Sequence, residues 1–169
     1  MAKTSDQKTG STGPLGTKQL PLSVKSPQKG DMRTQFAALC WRVRDDKVQV
    51  LLITTRGTKS WIVPKGWPEH RMTPGNAALR EAWEEAGVIG QTSEICLGLF
   101  SYQKRMPDKR FVPCVALIYP VKVTKLARVF PEAGQRKRKW CSPKKAATLV
   151  DAPELKQILK TFDPKRLQL

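Results

Sequence analysis

Residues 80–87 read Arg-Glu-Ala-Trp-Glu-Glu-Ala-Gly, a stretch that gathers Glu81, Glu84 and Glu85 into little more than one helical turn. A helix advances by about 100° per residue, so the three carboxylates share one face. Leu79, Ala82, Trp83 and Ala86 fall on the opposite face. The expected arrangement is an apolar side packed on a sheet with the carboxylates pointing outward. Negative charges held this close repel one another unless a cation lies between them. Hard divalent ions take oxygen ligands of this kind, and Mg²⁺ in particular is shared between carboxylates and phosphates. The competing reading is a solvated helix face carrying one Arg80–Glu84 pair at i,i+4 spacing.

The preceding residues narrow the choice. Trp61-Ile62-Val63 reads as a short apolar strand running into a Gly/Pro turn, Pro64-Lys65-Gly66-Trp67-Pro68. Thr73-Pro74 then offers an N-cap with proline at the first helical position, and Gly87 offers the stop. The acidic turn thus falls at the helix C-terminus, where the helix dipole already places partial negative charge. An arrangement that works against local stability points to function.

Gly66, Arg80, Glu81, Glu84, Glu85, Gly87 and Val88 stand at the spacing of the Nudix box: glycine, five residues, glutamate, seven residues, then Arg-Glu-aliphatic-any-Glu-Glu-any-Gly-aliphatic. The chain therefore resembles the Nudix hydrolases over about residues 35–149. Its Pro64-Lys65-Gly66-Trp67-Pro68 stretch is similar to the branch that includes diphosphoinositol polyphosphate and diadenosine polyphosphate hydrolases. Two positions depart from the pattern. Met72 stands where the family has its first glutamate, and Ala82 is small for the aliphatic slot. In the family that first glutamate supports the loop and helix, and Glu69, three residues earlier, is a candidate substitute. The resemblance implies an α+β fold, the Nudix α/β/α sandwich around a mixed central sheet.

Length and composition fit this frame. The 169 residues suit one domain with a single core. Residues 1–32 are rich in Lys, Ser, Thr, Gly and Pro, which predicts a disordered basic tail; 33–169 then form the domain. Net charge is +17, from 31 Lys+Arg against 14 Asp+Glu. That excess favours polyanionic partners: a polyphosphorylated small molecule, RNA or an anionic surface. Cys40, Cys96, Cys114 and Cys141 are scattered without a Cys-x-x-Cys pair, and His70 is the chain's one histidine, so a zinc site is not expected. Three of the four lie in apolar strand-like runs, so buried, reduced thiols and a cytoplasmic location are expected instead. No run reaches the length of a membrane span.

Strands are expected from Phe36 to Val43, Val48 to Thr54, Ile95 to Phe100 and Phe111 to Tyr119, with a turn at Asp45-Asp46 and Pro113 at an edge or bulge. Short helices are expected at 144–150 and 153–162. The strand-rich order with separated helices favours an α+β layered domain.

Within the resemblance, Glu81, Glu84 and Glu85 are the implied ligands of Mg²⁺, with Mn²⁺ as a substitute. Arg80 is grouped with them and is expected to orient Glu84. The residue that accepts a proton from water stays open among these glutamates and a carboxylate from a later loop, for which Glu132 is a candidate. Lys65, Gly66, Arg56, Lys104 and Arg105 are candidate substrate contacts. The Lys104-Arg105…Lys109-Arg110 cluster lines a phosphate channel or is an ordinary solvated loop; Arg136-Lys137-Arg138-Lys139 is a denser basic block. The activity implied is a pyrophosphohydrolase acting on a diphosphoinositol polyphosphate or dinucleoside polyphosphate. An RNA 5′-pyrophosphohydrolase and a non-hydrolysing binder of nucleotide or RNA are the alternatives.

Overall fold

The computed structural model describes Gln19, Leu20, residues 32–167 and Leu169. Most of the predicted tail lies outside the described residues. Gln19 belongs to the part that is described, and its side-chain amide pairs with the main chain of Leu99: Nε2 donates to the Leu99 carbonyl (2.8 Å) and Oε1 accepts from the Leu99 N–H (2.6 Å).

The domain opens with a hairpin, β1 (Arg33–Arg44) and β2 (Lys47–Thr54), turned at Asp45 and Asp46, both with positive φ. Two-residue strands follow, β3 (Trp61–Ile62) and β4 (Lys65–Gly66). Then come α1 (Pro74–Ala86), β5 (Val88–Thr92), β6 (Gly98–Arg105), β7 (Phe111–Leu126) and β8 (Arg138–Cys141). Helices α2 (Pro143–Leu149) and α3 (Pro153–Thr161) close the domain, with a short 3₁₀ turn at Pro164–Arg166.

The eight strands form one mixed sheet whose main path is β3-β2-β1-β7-β5. β4 pairs with β1, β6 with β7, and β8 with β2. The central contact, β1 beside β7, is parallel, running from Arg33 opposite Cys114 to Trp41 opposite Lys122. Alternation along β1 divides the core. Ala37, Leu39 and Trp41 face the layer of α2 and α3, against Leu155, Ile158 and Leu159. Ala38 and Cys40 face α1, against Ala78, Ala82 and Ala86. Helices thus cover both faces of the sheet, as the α/β/α expectation requires.

Three sequence expectations change. Lys65-Gly66 is a strand seated on Phe36 and Ala37, where a glycine loop was expected. The strand expected from Ile95 begins instead at Gly98 and runs on to Arg105. β5 was not anticipated; its Gly90 lies so close to β7 that a Cβ there would fall 2.1 Å from the Lys122 carbonyl oxygen. Pro113 sits on β7 opposite Gln103, just before β1 joins the strand at Cys114, so it interrupts no ladder with β1. No described helix is long and apolar enough to cross a membrane.

Candidate active site

Helix α1 is fixed at both ends by side chains and glycine. Thr73 Oγ1 accepts from the Asn76 N–H, while Glu94, from the loop after β5, accepts from Thr73 Oγ1 (2.6 Å) and the Gly75 N–H (2.9 Å). A carboxylate at a helix N-terminus is favoured by the dipole. At the other end Gly87 adopts a left-handed conformation (φ 68°). Arg138 of β8 reaches under this end and donates to the carbonyls of Ala86 (2.8 Å) and Ala127 (3.1 Å). It places positive charge where the dipole and the acidic turn both put negative charge.

The three glutamates do not share one environment. The expectation that all point outward fails at Glu85, which is buried beside Ala82 and Ala86. It occupies the border between the helix's alanine face and its acidic face, so packing on β4 covers it. Its Oε2 accepts from the Lys65 N–H (3.1 Å), and its Oε1 takes a hydrogen bond from Arg136 Nη2 (2.7 Å). Burial raises the Glu85 pKa, with Arg136 and Lys65 opposing. Glu84 accepts from Arg80 Nε (2.8 Å). Glu81 lies directly over Gly66: a Cβ on that glycine would stand 2.0 Å from the Glu81 carboxyl carbon. Burial, then the charges of Glu85, Glu84, Glu69 and Glu132, push its pKa up to about 7.

Beside this acidic ridge, β1, β4 and β6 assemble a basic and aromatic wall. Lys65 Nζ lies 4.8 Å from the centre of the Tyr102 ring, and Tyr102 donates its hydroxyl to Gln35. Lys104 Nζ sits 4.7 Å over the Trp67 ring, and the Arg33 guanidinium 6.0 Å from it. Burial holds the Lys65 ammonium below its ordinary range; Glu85 opposes that shift, while Lys104 and Arg136 reinforce it. Of the candidate substrate contacts, Lys65, Gly66 and Lys104 therefore come together. Arg56 pairs instead with Glu132 (3.8 Å), beside Arg136, and Arg105 lies further along the hairpin, opposite Phe111 and exposed. Arg33 was missed because it precedes the apolar run of β1; its parallel register with Cys114 brings it to the wall.

The departure at Met72 has a local answer. Met72 is exposed, whereas Glu69 Oε2 accepts from Arg80 Nη1 (2.7 Å). Arg80 thus joins the loop carboxylate to Glu84. A chain of charge-assisted bonds on the far side involves Glu132: Arg136 Nε donates to its Oε2 (2.7 Å), and its N–H donates to the Glu84 carbonyl (3.0 Å). Arg136 also donates to the Thr54 carbonyl (3.2 Å) and is only 8% exposed. Within the basic block Arg136 precedes β8, and both Arg136 and Arg138 turn toward α1.

The donor chemistry fits a hard divalent cation. Glu81 is a half-buried oxygen donor with carboxylates around it, and no hydrogen bond or salt bridge from the described residues satisfies it. The spacing is looser than expected. Among the described residues no three His, Cys, Asp or Glu side chains converge closely enough to hold an ion, because Glu84 and Glu85 are turned onto guanidinium groups.

Fold and site together define a domain that presents an acidic helix turn beside a basic and aromatic wall. The chain belongs to the NUDIX domain family, whose description matches residues 33–162. It is 31% identical over 120 residues to the Arabidopsis thaliana protein "Nudix hydrolase 12, mitochondrial", covering 69% of this chain and 59% of that protein. It is 36% identical over 122 residues to the human "Diphosphoinositol polyphosphate phosphohydrolase 3-alpha", covering 71% of this chain and 70% of that one. The chain thus spans less than two thirds of the plant relative's length. Among solved structures, the C. elegans Ap4A hydrolase superposes with a TM-score of 0.57 at 20% identity, covering 76% of this chain and 94% of that one, a likeness of fold.

Proposed function

We propose that this protein is a Mg²⁺-dependent pyrophosphohydrolase that cleaves a phosphoanhydride bond in a highly phosphorylated small molecule, a diphosphoinositol polyphosphate or a dinucleoside polyphosphate. One observation carries the reading. The Glu81 carboxylate, without a hydrogen bond or ion pair among the described residues, lies over the Gly66 backbone, next to a wall of Lys65, Lys104 and Arg33. Negative and positive charge lie side by side, the pattern that a metal-bound polyphosphate complements at both ends. The likeness to the human diphosphoinositol polyphosphate phosphohydrolase and the surplus of basic residues support the choice of substrate.

Glu81, Glu84 and Glu85 would hold the metal. When bound, a divalent ion neutralises phosphate oxygens and lowers the pKa of a coordinated water. The remaining work falls to side chains. Gly66 lets the Glu81 carboxylate lie against the backbone of β4, because no Cβ intervenes. Lys65 and Lys104 are held in place by aromatic rings and supply charge to phosphates. Arg80 fixes Glu84 and ties the loop to the helix through Glu69. Helix α1, capped at both ends, keeps this set rigid. The four cysteines are free, which accords with a cytoplasmic location.

The test is a turnover panel with Mg²⁺: diphosphoinositol phosphates, diadenosine polyphosphates and 5′-triphosphorylated RNA, with Glu85→Gln as control. The reading expects turnover of the small molecules, lost in Glu85→Gln. Cleavage of RNA alone would reassign the substrate, and binding without turnover of any of them would make the protein a non-hydrolysing binder.

A further inference from the structure

We infer that Arg136 is the resident counter-ion of the acidic site: it holds Glu85 in the metal-free protein and must release Glu85 Oε1 for a divalent cation to enter. This rests on the metal reading above and goes beyond it. Arg136 is nearly buried and bridges Glu85, Glu132 and the Thr54 carbonyl. A guanidinium presents several fixed donors, so it can let one acceptor go and keep the others. Here Nε stays on Glu132 and Nη1 on Thr54, while Nη2 leaves Glu85.

The geometry gives the reason. Glu85 is buried, and a buried carboxylate without a cation is costly, so some positive charge must stand beside it when no metal is present. Lys65 contributes its backbone N–H to Oε2, leaving Oε1 as the oxygen available for exchange. Glu81, by contrast, makes no ion pair or hydrogen bond among the described residues. The site as built is one part neutralised and one part open, which explains why three carboxylates on one helix face do not form a closed cage. Release of Glu85 Oε1 by Arg136 would make that oxygen available, with Glu81, to hold a divalent ion. Arg136 keeps its place against Glu132, whose own N–H is fastened to the Glu84 carbonyl.

The experiment is calorimetric titration of Mg²⁺ into full-length wild type, Arg136→Lys and Arg136→Gln, with folding of each variant checked by circular dichroism. Lysine keeps the charge but cannot hold three separated acceptors at once. Arg136→Lys is therefore expected to bind Mg²⁺ roughly tenfold more tightly, as the loss of one charge-assisted hydrogen bond to be broken implies. Arg136→Gln is expected to bind more tightly still. A purely structural Arg136 predicts the reverse, weaker uptake in both. A second measurement uses the wild type alone: nitrogen resonances of the arginine side chains, followed while Mg²⁺ is added. The Arg136 Nη signal is expected to shift while Nε, on Glu132, stays. Wild-type uptake with no gain in Arg136→Lys, or an unmoved Nη signal at saturation, overturns this inference and leaves the metal reading standing. Absence of Mg²⁺ and Mn²⁺ uptake by the wild type overturns both.

Discussion

Replacing Glu81 with glutamine is expected to stabilise the metal-free protein while abolishing divalent-ion uptake. The carboxyl is half-buried against Gly66 and repelled by Glu85, Glu84, Glu69 and Glu132, which lifts its pKa from 4.5 to about 7. At 1.36 kcal/mol per pH unit that corresponds to about 3.4 kcal/mol of destabilisation when Glu81 is ionised. Solvent reaches part of the group and screens it, so roughly half, about 1.5 kcal/mol, is the expected effect. The sign follows from proton binding. The folded protein holds this proton more tightly than the unfolded chain does. Its stability therefore falls as pH rises from about 4.5 through about 7 and stays lower above that. Glutamine carries no such cost, so the variant's advantage should be small at pH 5 and complete at pH 8. Urea denaturation in the presence of a chelator, at both pH values, measures it. Added Mg²⁺ should raise the midpoint of the wild type and leave the variant unchanged. A variant less stable than wild type at pH 8, or an equal gain at both pH values, would refute the reasoning.

Three further substitutions probe the supports of the site. In Gly66→Ala the new methyl meets the flexible end of Glu81, which can swing aside; thermal stability should change little while Mg²⁺ binding by calorimetry falls. Glu69→Ala should lower turnover several-fold and speed hydrogen exchange across residues 66–73, and adding Met72→Glu should restore part of both if Glu69 stands in for the missing loop glutamate. Arg138→Ala removes two bonds to carbonyls at the end of α1 and should cost about 1–2 kcal/mol in urea denaturation, with the helix C-terminus fraying first.

Much of this architecture is legible in the chain. The ends of α1 announce themselves through Thr73, Pro74 and Gly87, and the β1–β2 hairpin through apolar runs on either side of the Asp45-Asp46 turn. These signals are local, set by backbone preferences and periodicity. What stayed hidden depends on tertiary partners. Glu85 sits at the edge of the acidic arc, and only its packing on Lys65 and Arg136 decides that it is inside. Two-residue strands such as β4 carry no periodicity at all; Lys65-Gly66 is a strand because β1 offers it a place. Arg136 looks like one cation among many in a basic run. Glu69 was visible as a candidate from spacing, but its bond to Arg80 depends on how the loop folds back.

The parallel seam between β1 and β7 carries a consequence for biosynthesis. The acidic helix rests on alanines packed against Tyr119 and Val121, residues of a strand made well after it. As the polypeptide leaves the ribosome, those glutamates emerge over β1, β2 and β4 alone, and the sheet beneath the helix stays incomplete until β7 arrives to close the seam. Such distant pairing is slow to nucleate. A nascent chain halted before Leu126 would thus display its acidic turn but lack a working catalytic centre.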